Sequence, residues 1–358
     1  MQRTTATMFL ALGVCATAIG CAHDTPATPT GLSLSIGNPM NTGSKNAYTL
    51  AVIGDTPYGA AKLAEFPSLI ALINSDPKVD VVVHLGDIKT GTNSPCTDEY
   101  FAIVKSLFDA FKDPFVYTPG DNEWTDCHVA GTNNGLYTPT ERLQAVRTLF
   151  FPVAGQTLGG RKKQVLTQAD DPANSAYIEN TMWMESQVVF AALNVPGSNN
   201  DRAPWGSPLP ANAGDFPSQT QEQASRAQAT TAWLQEAFAT ASEHDAAGVV
   251  LLLQADMWFA IAPVSGYDAL VQQIGNLAAA FGRPVLLLEG DSHAFRVDHP
   301  YSASSPLRAM HPSTPVAENV IRLVVEGGLT GRTEYVRLTI DPQGKNTGLF
   351  TFERVPLQ

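Results

Sequence analysis

The stretch Val79-Asp80-Val81-Val82-Val83-His84-Leu85-Gly86-Asp87 decides the fold. A short β-branched apolar run is a strand buried on both faces. It stops at Gly-Asp, where Gly permits a sharp turn and close backbone approach and Asp supplies a short, rigid oxygen ligand. Five other runs share this design: Tyr48 to Ile53, Phe115 to Tyr117, Val188 to Leu193, Val249 to Leu253 and Val285 to Leu288. Four of the six lead into Gly-Asp, at Gly54-Asp55, Gly86-Asp87, Gly120-Asp121 and Gly290-Asp291, and the other two end at Asn194 and Gln254.

Between the runs lie amphipathic helical stretches. Thr97 is an N-cap ahead of Phe101, Val104, Leu107, Phe108 and Phe111, with Asp98 and Glu99 in the first turn. Thr138-Pro139-Thr140-Glu141 combines an N-cap, Pro at N1 and a capping-box Glu. A third helix runs from about Gln219 to Ala241, with Trp233, Leu234, Ala237 and Phe238 on its apolar face. Strands alternating with helices make an α/β sheet, whose ligand site lies beyond the carboxyl ends of its strands. A single Gly-Asp is ordinary turn chemistry. Four at the ends of buried strands bring carboxylates into one cleft, where they repel unless cations sit among them.

The 358 residues and 44% hydrophobic content supply a large core and exclude a disordered chain. Lys+Arg number 22 against 34 Asp+Glu, a formal net charge of -12. With no basic block, binding to a nucleic-acid polymer through charge is excluded.

Residues 1–20 read as a signal peptide: Met8 to Gly20 is apolar but too short to span a bilayer. Thr17-Ala18-Ile19-Gly20-Cys21 resembles the lipobox of bacterial lipoproteins, which makes Cys21 the lipidation site, with ordinary signal cleavage as the alternative. Ala22 then favours the outer membrane. The implied location is the periplasmic side of the envelope, with membrane contact through the lipid anchor only. Residues 21–46, rich in Thr, Pro, Ser, Gly and Asn, read as a flexible tether, and 47–358 as the folded domain. Cys96 and Cys127 remain in that domain. In an exported protein they most simply form one disulfide, which would staple the loops after Asp87 and Asp121; two unpaired buried thiols are the alternative.

The order of the strand-end motifs resembles the calcineurin-like metallophosphoesterase superfamily, which includes purple acid phosphatases. That family carries Asp-x-His, Gly-Asp, Gly-Asn-His-Asp/Glu, a lone His and Gly-His-x-His. This chain offers Gly54-Asp55-Thr56-Pro57, Gly86-Asp87, Gly120-Asp121-Asn122-Glu123, Gln254 and Gly290-Asp291-Ser292-His293. The resemblance implies a four-layer α/β/β/α sandwich with two mixed β-sheets. It also implies that Asp55, Asp87 and His293 bind one metal, that Asp87 bridges to a second, and that Asp121, Gln254 and Asp291 complete the second site. Pro57, Asn122, Gln254 and Asp291 stand at family His positions. Asn122 takes the catalytic place of the His that assists the leaving group, where it can donate a hydrogen bond but cannot act as a general acid. Exchanging imidazoles for oxygen ligands favours one or two Mn, Mg or Ca ions over Zn.

The implied function is metal-dependent hydrolysis of a small phosphomonoester or phosphodiester. The alternative is a non-catalytic envelope module that keeps the fold for binding or structure. Lys89 can hold a phosphate or be solvated, His84 reads as a core residue, and Asn194, Asn199, Asn200 and Asp201 read as turn chemistry. Trp124 can wall the pocket or simply pack, and Asp256, Asp298 and His299 can support it. Residues 151–187, 196–218 and 294–318 read as long loops of the kind that form lids.

Overall fold

The computed structural model describes residues 39–41, 46–129, 131–132, 137–205, 216–344 and 348–358. The signal peptide, Cys21 and most of the tether lie outside the described residues.

The strands are β1 (Tyr48–Ile53), β2 (Val81–His84), β3 (Phe115–Tyr117), β4 (Leu166–Thr167), β5 (Thr181–Glu185) and β6 (Val188–Ala192). They continue as β7 (Gly248–Leu252), β8 (Val285–Glu289), β9 (Arg296–Asp298), β10 (Val320–Val324), β11 (Glu334–Ile340) and β12 (Phe350–Pro356). Helices are α1 (Gly59–Ser75), α2 (Asp98–Asp109), α3 (Pro139–Phe150), the single turn α4 (Gly197–Asp201), α5 (Phe216–Glu243) and α6 (Asp268–Phe281). All six apolar runs are strands, their ends shifted by at most two residues.

The first sheet has the order β12-β11-β1-β2-β3, with β1, β2 and β3 parallel and β11 and β12 antiparallel. The second has the order β4-β5-β6-β7-β8-β10-β9, with β6, β7, β8 and β10 parallel. Both sheets are mixed. Alternation along the strands sends side chains to opposite faces. Leu50, Val52 and Val83 meet Phe190, Val250 and Leu286 between the sheets. Ile53 and Val82 pack outward with Phe66, Phe101, Phe108 and Val146 from α1, α2 and α3. Val189, Leu251 and Leu287 pack on the other side with Trp233, Leu234, Val271 and Ile274 from α5 and α6. Three apolar cores separate four layers, and each fully buried Leu, Ile or Phe contributes roughly 1.5–3 kcal/mol.

Local structure departs from the sequence reading in places. Thr97 caps α2, its hydroxyl accepting the Tyr100 N–H at 3.2 Å. Thr138 makes no side-chain cap, and the Glu141 carboxylate turns instead to Arg142, so the capping box does not form. The stretch 151–187 is not one long loop: Thr181–Glu185 pairs antiparallel with β6 and buries Met182, Trp183 and Met184. Within 294–318, β9 pairs with β10. No helix among the described residues is long and apolar enough to cross a membrane.

Candidate metal centre

The strand-end residues meet where strands of both sheets finish. The chain leaves these strands through left-handed residues, with φ 51° at Asp55, 60° at Asp87, 67° at Asp291 and 59° at His293. Each such non-glycine residue costs on the order of 1–3 kcal/mol, so the surrounding fold must impose the conformation.

Two clusters result. Asp55, Asp87 and His293 each offer a ligand atom, all within 4.8 Å of one another, and so do Asp87, Asp121 and Asp291. Asp87 belongs to both, as a bridging ligand must. His293 Nε2 lies 3.3 Å from Asp55 Oδ1, and the Asp291 N–H donates to the two Asp55 oxygens at 3.0 and 3.1 Å. Close backbone approach clears the cleft: a Cβ on Gly120 would stand 2.1 Å from Asp87 Oδ1, and one on Gly327 would stand 2.4 Å from the Asp55 Cβ.

Burial, followed by the neighbouring carboxylates, pushes Asp87 and Asp291 well above the usual carboxylate range. Asp55 is raised by burial, with His293 opposing. Burial lowers the His293 imidazole, but hydrogen bonding to Asp55 and its charge outweigh this and leave it raised. Two carboxylates about 4.8 Å apart repel by about 3.5 kcal/mol at an effective dielectric constant of about 20. The cleft therefore favours protons or cations between its acids.

Asp87 is held by groups on the adjoining loops. The Asn122 Nδ2 donates to Asp87 Oδ2 and to the Tyr58 hydroxyl, each at 2.7 Å, and the Asn122 N–H donates to Asp87 Oδ1 at 3.2 Å. The Tyr58 hydroxyl donates to Asp87 Oδ2 at 2.8 Å, and its ring lies edge-on to His293. Tyr58 escaped the sequence reading; its only signal is an aromatic directly after Pro57, where a His is missing. Buried Glu123 accepts from the Tyr117 hydroxyl at 2.5 Å, the Gly120 N–H at 2.6 Å and the Asp87 N–H at 3.2 Å, tying the loops after β2 and β3 together.

Gln254 is buried at the cleft, but its Oε1 accepts the Gly197 N–H at 2.5 Å and its Nε2 has no partner. Gly197 opens a left-handed turn with φ 50° at Ser198, 57° at Asn199, 59° at Asn200 and 60° at Asp201. Ser198 Oγ lies 2.7 Å from Asp121 Oδ2 and 3.0 Å from Asp126 Oδ1. Asn199 accepts from the Gly266 N–H, and Arg226 bonds Asn200, so Asn199, Asn200 and Asp201 form a braced structure beside the second cluster.

Lys89 fits neither sequence reading. It is fully buried, donating to the Thr90 carbonyl at 2.8 Å and the Asn122 carbonyl at 2.6 Å, and burial lowers its pKa to about 8. Asn194 is likewise no simple turn residue, since its Nδ2 donates to buried Glu179 at 2.8 Å. His84 is a core residue, 2.7 Å from the Thr56 carbonyl, its pKa lowered by burial to about 4. Trp124 packs beneath the Arg226 guanidinium. Asp256 and Asp298 join Glu289 around buried Arg322, and the Asp256 N–H reaches Asp291 Oδ2 at 3.2 Å, so this ion-pair group braces the loop after β8. His299 instead faces the Val320 carbonyl. Cys96 and Cys127 form a disulfide with Cα atoms 5.8 Å apart, linking the segment after Asp87 to the turn after Asp121.

Carboxylates dominate the donor set, and glycines clear the space around the oxygens. These residues fit a divalent metal ion.

Two stacked mixed sheets carry a carboxylate cleft at their strand ends. Residues 48–200 match the family model for calcineurin-like phosphoesterase. Gln254, Asp291 and His293 lie beyond the matched residues. Among solved structures, the chain is similar to one described as "GAP50 the anchor in the inner membrane complex of Plasmodium", with TM-score 0.44, 10% identity, 87% of this chain covered and 89% of that one. No curated protein matches.

Proposed function

We propose that this protein hydrolyses a small phosphomonoester or phosphodiester with one or two divalent ions, Mn, Mg or Ca in preference to Zn. The observation that carries the reading is the sharing of Asp87 between two ligand clusters. Divalent ions in such a cleft supply Lewis-acid polarisation of a phosphoryl oxygen and activation of water. Asp55 and His293 would hold the first ion, Asp121 and Asp291 the second, with Gln254 beside them. Tyr58 and Asn122 orient Asp87, and Asn122 has no acidic proton to give a leaving group, so esters with good leaving groups suit the site best. The sequence further supports export, lipidation at Cys21 and residence on the periplasmic face of the outer membrane.

A second reading, a non-catalytic binding or structural envelope module, draws on one observation: Asn122 Nδ2 and Gln254 Oε1 are already engaged by Asp87, Tyr58 and Gly197. Hydrolysis of mono- and bis-nitrophenyl phosphate across divalent ions separates the two. Ion-dependent turnover that disappears in Asp87→Asn supports hydrolysis; absent turnover, or turnover equal in the variant, rejects it.

A further inference from the structure

The two most exposed large hydrophobic side chains among the described residues are Ile261 at 85% and Leu329 at 62%. Both lie on loops next to the one that carries Asp291 and His293. Strands β7, β8 and β10 are neighbours in that order and parallel, so the loops that follow them leave one edge of the sheet. The middle loop carries Asp291 and His293. Ile261 lies on the loop after β7 and Leu329 on the loop after β10, so in strand order they stand on either side of these ligands.

Each loop is tied to the cleft. Asp256 contacts Asp291, and two successive turns, with Phe259 N–H bonding to the Asp256 carbonyl and Ala262 N–H to the Phe259 carbonyl, carry the chain out to Ile261. Five residues from Asp256 limit that reach to about 17 Å. On the other side, a Cβ on Gly328 would lie 2.6 Å from His293 Nδ1, and Leu329 follows directly. The run Phe259-Ala260-Ile261-Ala262-Pro263-Val264 has no polar side chain, although positions 260–263 are exposed. Exposed apolar side chains on the two loops next to the ligand-bearing loop offer a hydrocarbon surface that would leave water on contact.

We propose that Ile261 and Leu329 form an apolar rim that binds the hydrocarbon substituent of an amphiphilic phosphate ester whose phosphate sits in the metal cleft. This rests on the phosphoesterase reading and specifies its substrate class. Neighbouring strands lie about 4.8 Å apart, so the roots of the two outer loops are separated by about 10 Å, a gap that an alkyl chain of several carbons can cross.

The test uses the full chain loaded with Mn2+ and a series of monomeric alkylphosphonates from methyl to octyl, with binding measured by calorimetry. A fully buried methylene tightens binding about fourfold, so a half-open rim gives at least about a tenfold gain from methyl to octyl. In Ile261→Ser/Leu329→Ser the octyl-to-methyl ratio falls towards one, whereas Ile103→Ser, an exposed apolar change on α2, keeps it. Methyl and octyl binding equally, or an undiminished ratio in the double variant, overturns the rim while leaving the phosphate site standing. Binding by no member overturns the phosphate reading and the rim with it. The rim is also overturned if the double variant loses only co-sedimentation with phosphatidylcholine vesicles, or only dimers of this chain, with the ratio unchanged.

Discussion

Replacing Cys96 and Cys127 by Ser removes a crosslink spanning 31 residues. In the chain-entropy treatment a loop of about that length loses about 12 cal/mol/K from the unfolded state, or about 3.7 kcal/mol at 25 °C. Unfolding of about 310 residues carries roughly 0.65 kcal/mol/K of entropy at the midpoint, so the melting temperature should drop by about 6 °C. The crosslink also acts on the site. Both sulfurs lie within 4 Å of the Asn122 carbonyl, at 3.9 and 3.8 Å, and that carbonyl accepts from buried Lys89. Freeing the turn after Asp121 should therefore loosen Asp121 and Asn122 and weaken Mn2+ binding. Scanning calorimetry and Mn2+ titration of wild type, reduced wild type and the double variant measure both effects. An unchanged melting temperature refutes the entropic estimate, and a full drop with unaltered ion affinity refutes the coupling to the site.

Burial raises Asp55, Asp87 and Asp291, so the folded protein holds protons that the unfolded chain releases above about pH 4. Above about pH 6.5, past the range in which His84, lowered by burial, adds stability with rising pH, the chelated protein should lose stability as pH rises, and Mn2+ should flatten that slope; a gain in stability there contradicts the shifts. Arg322→Met leaves buried Asp256 and Glu289 without their guanidinium and should cost about 3–5 kcal/mol in denaturant unfolding. A loss below about 1 kcal/mol would show that the acids are neutral or hydrated. Gly120→Ala drives a methyl group to within 2.1 Å of Asp87 Oδ1 unless the loop moves. Ion affinity should weaken by about 10–100-fold, and an unaltered titration would mean that the loop yields without disturbing Asp87.

The strand ends were legible because their chemistry is local: a β-branched run reports burial, and Gly-Asp after it reports a turn carrying an oxygen ligand. Order along the chain then grouped Asp55, Asp87, Asp121, Asp291 and His293. Helix α1 was hidden because its first turn has no acidic residue, its N-cap Tyr58 makes no side-chain cap, and Pro67 lies inside it. Strand β5 was hidden because its neighbours are polar and its partner β6 supplies the pattern. The turn at Ser198–Asp201 was legible in Asn199, Asn200 and Asp201, which tolerate a left-handed backbone, but the contacts from Gly266, Arg226 and Gln219 that brace it were not. Lys89 misled because the Asn122 carbonyl that receives its ammonium, beside that of Thr90, is brought to it by a tertiary arrangement that spacing cannot show.

The most direct measurement is the ion content of protein stripped with chelator and reloaded separately with Mn2+, Mg2+, Ca2+ and Zn2+, for wild type and Asp87→Asn. Because Asp87 is common to both clusters, wild type should retain one or two equivalents of an oxygen-preferring ion, and the variant should lose affinity at both. Wild type that binds no ion, or a variant that binds as tightly as wild type, contradicts the assignment of the cleft as a metal centre.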